Sequence, residues 1–191
     1  MKKRNAFVGA ILSLMSFGQP LLIKTGVVLS ATGLILSVPQ KVYTQTSTFY
    51  FNRANDKANN GDHHGAILDY TKAIEINPND AKIFVNRGYS KAELKNHYGA
   101  ILDYTKAIEI NPNDAKAFLN RGYSKAELKN HYGAISDFTK AIRIDPRYAD
   151  AYINRGIDKK IIGDLKGACA DWQKASQLGD QEATQWVREE C

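Results

Sequence analysis

The chain has 191 residues, 24% of them charged, and a net charge of +6. Lys2, Lys3, Arg4, Lys24 and Lys41 supply five of those charges, and no acid precedes Asp56, so everything beyond Lys41 carries only +1. The basic balance therefore belongs to the N-terminal stretch and excludes a broad nucleic-acid surface on the rest.

That stretch comes first in chain order. Residues 1–4 are basic, 6–17 are apolar, Gln19 and Pro20 interrupt, 26–38 are apolar again, and 41–48 are polar and Thr/Gln-rich. Residues 1–44 read as a signal peptide or membrane-anchor segment and stand apart from the fold. The second apolar run is short for a full span, which needs about 20 residues. Export, or anchoring with the remainder on the non-cytoplasmic side, is the expectation. The alternative is a membrane hairpin that leaves the remainder cytoplasmic.

From residue 45 onward a block of 34 residues is written four times, at 47–80, 81–114, 115–148 and 149–182. The second and third copies differ at only eight aligned sites. A fixed period of this size means a stack of small helical units with a long surface, and seldom an enclosed pocket. Each copy reads as two helices. Asp62, Asn96, Asn130 and Asp164 recur just ahead of an apolar periodic run, as N-caps that accept from orphan backbone N–H groups. Ile67, Tyr70 and Ile74 then mark one helical face. The pairs Asn77-Pro78, Asn111-Pro112 and Asp145-Pro146 end the second helix, because the residue before proline is pushed out of the α region. Asp80 and Asp114 are placed to cap the next one.

Small residues (Ala54, Gly88, Gly122, Gly156) recur in the first helix of each copy, and large aromatic ones (Tyr70, Tyr104, Phe138, Trp172) in the second. Alternation of this kind lets facing helices interdigitate. With these positions and the prolines, the chain resembles the tetratricopeptide-repeat (TPR) family. The resemblance implies an all-α fold, a right-handed α-solenoid of four helix pairs (domain 45–191) with a C-terminal capping helix at 181–191. Two departures stand out. Arg53, Arg87, Arg121 and Arg155 replace the large apolar residue expected before the small one, and Asp180 replaces the last proline. Asp69, Asp103, Asp137 and Asp171 also occur once per copy. Counting back from the interhelical turn sets each across from an arginine, so structural ion pairs are expected, Arg87 with Asp103 and Arg121 with Asp137 among them.

The last helix has Ala183, Trp186 and Val187 as its apolar face and Arg188, Glu189 and Glu190 as polar surface. Cys169 stands at the position of Ile67, Ile101 and Ile135 and is expected in the core. It lies about as far before the turn at Gly179 and Asp180 as Cys191 lies after it, so a disulfide stapling the cap is expected, given an oxidising compartment.

In the resembled family the first helices line a concave groove. Here Asn52, Asn86, Asn120 and Asn154 recur on them, with Lys82 and Lys116 one turn earlier and Tyr89 and Tyr123 one turn later. Asparagine offers donor and acceptor to a peptide backbone, lysine a charge for carboxylate, and tyrosine flat amphipathic contact. These eight residues are the candidate binding surface for another protein or a peptide. Lys82, Asn86, Lys116 and Asn120 are similar in part to the carboxylate clamp of co-chaperone TPR domains.

No glycine-rich phosphate loop, C-x-x-C or H-E-x-x-H is present. His63, His97 and His131 recur one per repeat and so do not converge, and Leu165 replaces them in the fourth copy, which suggests packing. Ser90 and Ser124 have no evident base beside them. The reading is a non-enzymatic interaction scaffold or assembly factor without metal, cofactor or nucleic-acid partner, which meets a membrane through residues 1–44. Two alternatives remain, a chaperone-like adaptor for an unstructured peptide or C-terminal carboxylate, and a structural spacer in an envelope complex.

Overall fold

The computed structural model describes residues 46–191 with their side chains, and the backbone of 27–29, 35–37 and 40–45. The chain divides into two units, Met1–Gln40 and Lys41–Cys191. Most of residues 1–44, the expected signal or anchor, lies outside the described residues. Within it, β1 (Val27–Leu29) pairs antiparallel with β2 (Ile35–Ser37), in register Val27 with Ser37 and Leu29 with Ile35. Val27, Val28 and Ile35 are β-branched and suit a strand. Among the described residues no helix is long and apolar enough to cross a membrane.

The second unit is built from helices: α1 (Gln40–Asn59), α2 (His63–Ile76), α3 (Ala81–Glu93), α4 (His97–Ile110), α5 (Ala115–Glu127), α6 (His131–Ile144), α7 (Ala149–Ile161), α8 (Leu165–Gln177) and α9 (Gln181–Glu190). The domain boundary expected at 44/45 falls inside α1. Proline 39 precedes that helix in the sequence and no other breaker follows before its end, so the polar run at 41–48 continues the helix.

The caps are side-chain oxygens. Asp62, Asn96, Asn130 and Asp164 accept from the N–H groups of Gly65, Gly99, Gly133 and Gly167 at 2.8–3.0 Å, each bond stabilising its helix by about 1 kcal/mol. Asp80 and Asp114 cap α3 and α5 in the same way, whereas Tyr148 gives α7 no side-chain cap. Asp180, the residue at the missing proline, caps α9 through Ala183 N–H at 2.7 Å.

Each helix packs on the next, and α3 also meets α5 as α5 meets α7. This is a solenoid. Tyr70, Tyr104 and Trp172 belong to separate core clusters, not to one centre. Close approach depends on the glycines. A Cβ on Gly88 would sit 2.8 Å from the Tyr104 ring, one on Gly122 2.7 Å from Phe138, and one on Gly156 2.5 Å from Trp172.

A polar ladder runs beside this core. Arg87 donates Nε and Nη2 to the two oxygens of Asp103 at 2.9 and 2.7 Å, and Arg121 does the same with Asp137 at 2.9 and 2.8 Å. Arg53 with Asp69 and Arg155 with Asp171 repeat the fork. Sequence inspection passed over two further members. Lys57, Lys91, Lys125 and Lys159, one turn after each arginine, reach the same carboxylates at 2.7–2.9 Å. Thr71, Thr105 and Thr139 accept from the arginine of the following repeat at 3.0–3.1 Å. Each arginine also lies over the aromatic ring three residues before it, at 5.2–5.6 Å. An arginine fits where the family expects an apolar residue because its stem packs while its fork is paired on both sides.

At the C-terminal end Trp172 and Trp186 lie 5.3 Å apart and Ala183 is fully buried. Cys169 and Cys191 form a disulfide with Cα atoms 5.7 Å apart. The expectation that Cys169 occupies the core needs correction. It is half-buried, as Ile67, Ile101 and Ile135 are, because this column flanks the helix interface, and Cys191 is exposed.

Candidate functional site: the inner groove

The first helices α1, α3, α5 and α7 share one side of the stack. Tyr89 on α3 and Tyr123 on α5 stand half out of it, 49% and 47% exposed, with Asn86 and Asn120 half-buried one turn behind. Two cavities open between them. The larger, about 670 Å³, lies between the first and second repeats against Asn55, His63, Tyr70, Asn86 and Tyr89. The smaller, about 90 Å³, lies one repeat on against Tyr89, Glu93, Lys95, Tyr104, Asn120 and Tyr123. Tyr89 borders both.

The groove is mixed in charge. The nearby Glu93 carboxylate, with burial, holds the Tyr89 phenol above its usual value. Burial raises Tyr123, and the Glu127 carboxylate adds to it. Tyr70 is pushed up to about 12 by burial, and Tyr104 rises for the same reason. All four phenols stay neutral at physiological pH.

The four recurring asparagines do not behave alike. Asn52 is exposed and borders neither cavity. Asn86 Nδ2 donates to Asn55 Oδ1 at 3.0 Å. Asn120 Nδ2 is buried and has no hydrogen-bond partner among the described residues. Asn154 Nδ2 donates back to the Asp150 carbonyl of its own helix at 2.7 Å. Lys82 and Lys116 are exposed and border neither cavity. The structure thus brings together Asn86, Tyr89, Asn120 and Tyr123 and sets the other four candidates apart. Asn55 and Tyr104 belong to the site, although sequence reasoning treated Tyr104 as packing alone. The available signal was a hydroxyl present at Tyr70 and Tyr104 but absent at Phe138 and Trp172.

Of the recurring histidines, His63 borders the larger cavity, with its ring 6.3 Å from that of Tyr89, and His131 makes a polar contact elsewhere. His131 Nδ1 lies 2.7 Å from Asp158 Oδ1 on the next repeat. His131 therefore does more than pack, whereas His63 Nδ1 and His97 Nδ1 are buried with no hydrogen-bond partner among the described residues, and Leu165, their counterpart, is 44% exposed because only the cap follows it. Among the described residues no cluster of three or more His, Cys, Asp or Glu is placed to hold a metal. Ser90 and Ser124 are fully buried, away from any solvent-borne substrate.

The sequence profile described as Tetratricopeptide repeat matches residues 47–80, 81–114 and 115–148, more than half of the chain. The chain belongs to the tetratricopeptide-repeat family. The fourth helix pair, α7 and α8, continues this TPR stack beyond the matched residues. No curated protein matches the chain. Among solved structures, the MamA protein is similar at 25% identity and a TM-score of 0.70, over 75% of this chain and 79% of that one. The Arabidopsis OM64 TPR domain is similar at 27% identity and 0.61, over 62% and 98%. The first TPR of Spaghetti (RPAP3), bound to the HSP90 peptide SRMEEVD, shares the fold at 22% identity and 0.61, over 62% and 94%.

Proposed function

We propose that this TPR protein is a non-enzymatic interaction scaffold whose partner, a protein or peptide, lies along the inner groove. The observation that carries the reading is the row Asn86, Tyr89, Asn120 and Tyr123, presented on successive first helices around two open cavities. Tyrosines that stand half out of a surface offer large contact area at little conformational cost. The family supports the reading at the same coarse level. Residues 1–44 are proposed as a signal or anchor that puts the repeats outside the cytoplasm, a placement that suits the Cys169–Cys191 bond. Protease protection of the repeats in intact cells tests the placement, and digestion only after lysis argues against it.

The experiment for the groove is affinity capture with the full chain and with Tyr89→Ala/Tyr123→Ala, followed by identification of what is retained. Partners lost from the variant at unchanged helix content support the groove. Retention of the same partners would falsify it.

The carboxylate-clamp alternative has Lys82 and Lys116 in its favour, on the first turns of α3 and α5. Against it, Asp150 occupies the equivalent place on α7, and Glu93 and Glu127 sit beside the groove tyrosines. A peptide ending in a free carboxylate that outcompetes its amidated form favours the clamp.

A further inference from the structure

One contact in the first groove site stands in for a ligand. Asn55 Oδ1 accepts two hydrogen bonds, from Tyr70 OH at 2.6 Å and from Asn86 Nδ2 at 3.0 Å. A phenol and an amide donor thus converge on one amide carbonyl oxygen, supplied by the chain itself. The repeat register carries the same arrangement forward, with Tyr104 at the place of Tyr70, Asn120 at that of Asn86 and Tyr89 at that of Asn55.

That last exchange changes the chemistry. A phenol cannot present an amide carbonyl, and both Tyr89 and Glu93 border the cavity. Asn120 Nδ2 is consequently buried without an acceptor among the described residues, an arrangement that costs about 1–3 kcal/mol. Beside it lies the 90 Å³ cavity, bordered by Tyr89, Tyr104, Asn120 and Tyr123. A water takes ~30 Å³ of liquid, so this space suits a group of a few heavy atoms. In the third repeat the donor set is dismantled, because Phe138 has no hydroxyl and Asn154 is bound to its own helix. The set is filled from within in the first repeat, open in the second and absent from the third.

We infer that the cavity between Tyr89 and Tyr123 is a binding site for one uncharged amide carbonyl of the partner, from its main chain or an Asn or Gln side chain, with Asn120 Nδ2 and Tyr104 OH as donors. The acceptor that fills the sister site is a neutral amide. Glu93 and Lys95 both border the cavity and offset one another, so no net charge recruits a carboxylate. The flanking phenol rings give a planar amide two faces to lie against. This inference rests on the groove as the partner's face and adds the chemistry of its one specific contact.

The test uses the full chain, labelled for NMR, with N-acetylglycinamide as an uncharged probe and acetate as the charged control. Saturable movement of the Asn120 side-chain amide resonances with N-acetylglycinamide, and none with acetate, is the expected result. Tyr89→Asn restores the Asn55 arrangement and should abolish the response by closing the site from within; Tyr104→Phe should weaken it several-fold. Tyr89 is half exposed, so the first variant leaves the core intact, and circular dichroism checks this. No saturable shift at Asn120, an equal response to acetate, or an unchanged response in Tyr89→Asn overturns the inference. The probe is a small molecule, so a negative titration leaves protein docking in the groove standing, and failed partner capture leaves the titration standing.

Discussion

His131 Nδ1 lies 2.7 Å from Asp158 Oδ1, tying the second helix of the third repeat to the first helix of the fourth. The two residues are 27 positions apart, and the same register sets His63 across from Ser90 and His97 across from Ser124. Only the last seam carries a carboxylate. Burial holds Asp158 above its ordinary 3.8, with His131 pulling the other way. A raised carboxyl binds its proton more tightly folded than unfolded, so its contribution falls as pH rises through the window above 3.8. Asp158→Ser, which copies the other seams, should remove that slope and change stability at pH 7 by less than about 1 kcal/mol. Thermal unfolding against pH checks it. A large loss at pH 7 would mean that the pair is net stabilising.

Asp69 works in the opposite sense. The Arg53 fork, aided by Lys57 and opposed by burial, lowers it to about 2. Its contribution is complete above the ordinary aspartate range and disappears as pH falls through that range toward 2. Asp69→Asn should flatten the acid limb of the stability profile. If Asp69→Asn unfolds in acid as the parent does, the fork is not what acid breaks.

Lys95 and Lys129 have φ of 61° and 63°, in the left-handed region, where the first and fourth copies carry Gly61 and Gly163. A side chain in that conformation costs about 1 kcal/mol. Lys129→Gly should therefore stabilise the stack by up to that amount, read from the urea midpoint at constant slope. Lys95→Gly is the less clean variant, because Lys95 borders the small groove cavity.

Arg121 joins its own repeat through Asp137 and the preceding repeat through Thr105. Arg121→Met leaves a buried carboxylate with Lys125 alone and should cost about 3 kcal/mol. Thr105→Val removes only the link between repeats, at a cost of about 1 kcal/mol, and should broaden the unfolding transition by uncoupling neighbours. Sharp unfolding of Thr105→Val would show that apolar contacts alone transmit cooperativity.

Reduction of the disulfide releases a loop of 22 residues, worth about 3 kcal/mol of chain entropy. Solenoid units touch only their neighbours, so the loss should stay local. Hydrogen exchange in α8 and α9 should rise on reduction while α3 to α6 keep their protection. Uniform loss along the chain would contradict a local staple.

The helix pairs were legible because their signals are local. An Asp or Asn ahead of a glycine-containing turn, an apolar period and an Asn-Pro or Asp-Pro stop lie within one copy, and each acts through backbone groups a few residues away. The Arg and Asp columns could be set opposite one another by counting from the turn. The lysines and threonines that complete the ladder were not read, because a second cation one turn along the same helix has the pattern of solvated surface and the threonines reach across the repeat boundary. Cys169 was misplaced for a related reason, since a column of isoleucines marks burial only when the face it points to is known.

The sequence by itself determined a stack of thirty-four-residue helix pairs with a capped end, since every copy repeats the same short-range instructions. Tertiary structure alone decided which of four recurring asparagines is left with an open donor. Asn86, Asn120 and Asn154 share one local context, and the acceptor that distinguishes the first two is set by a residue thirty-one positions earlier, on the neighbouring repeat: Asn55 in one case and Tyr89 in the other. A hydrogen bond across a repeat boundary depends on both partners, and only the packed stack brings them within reach.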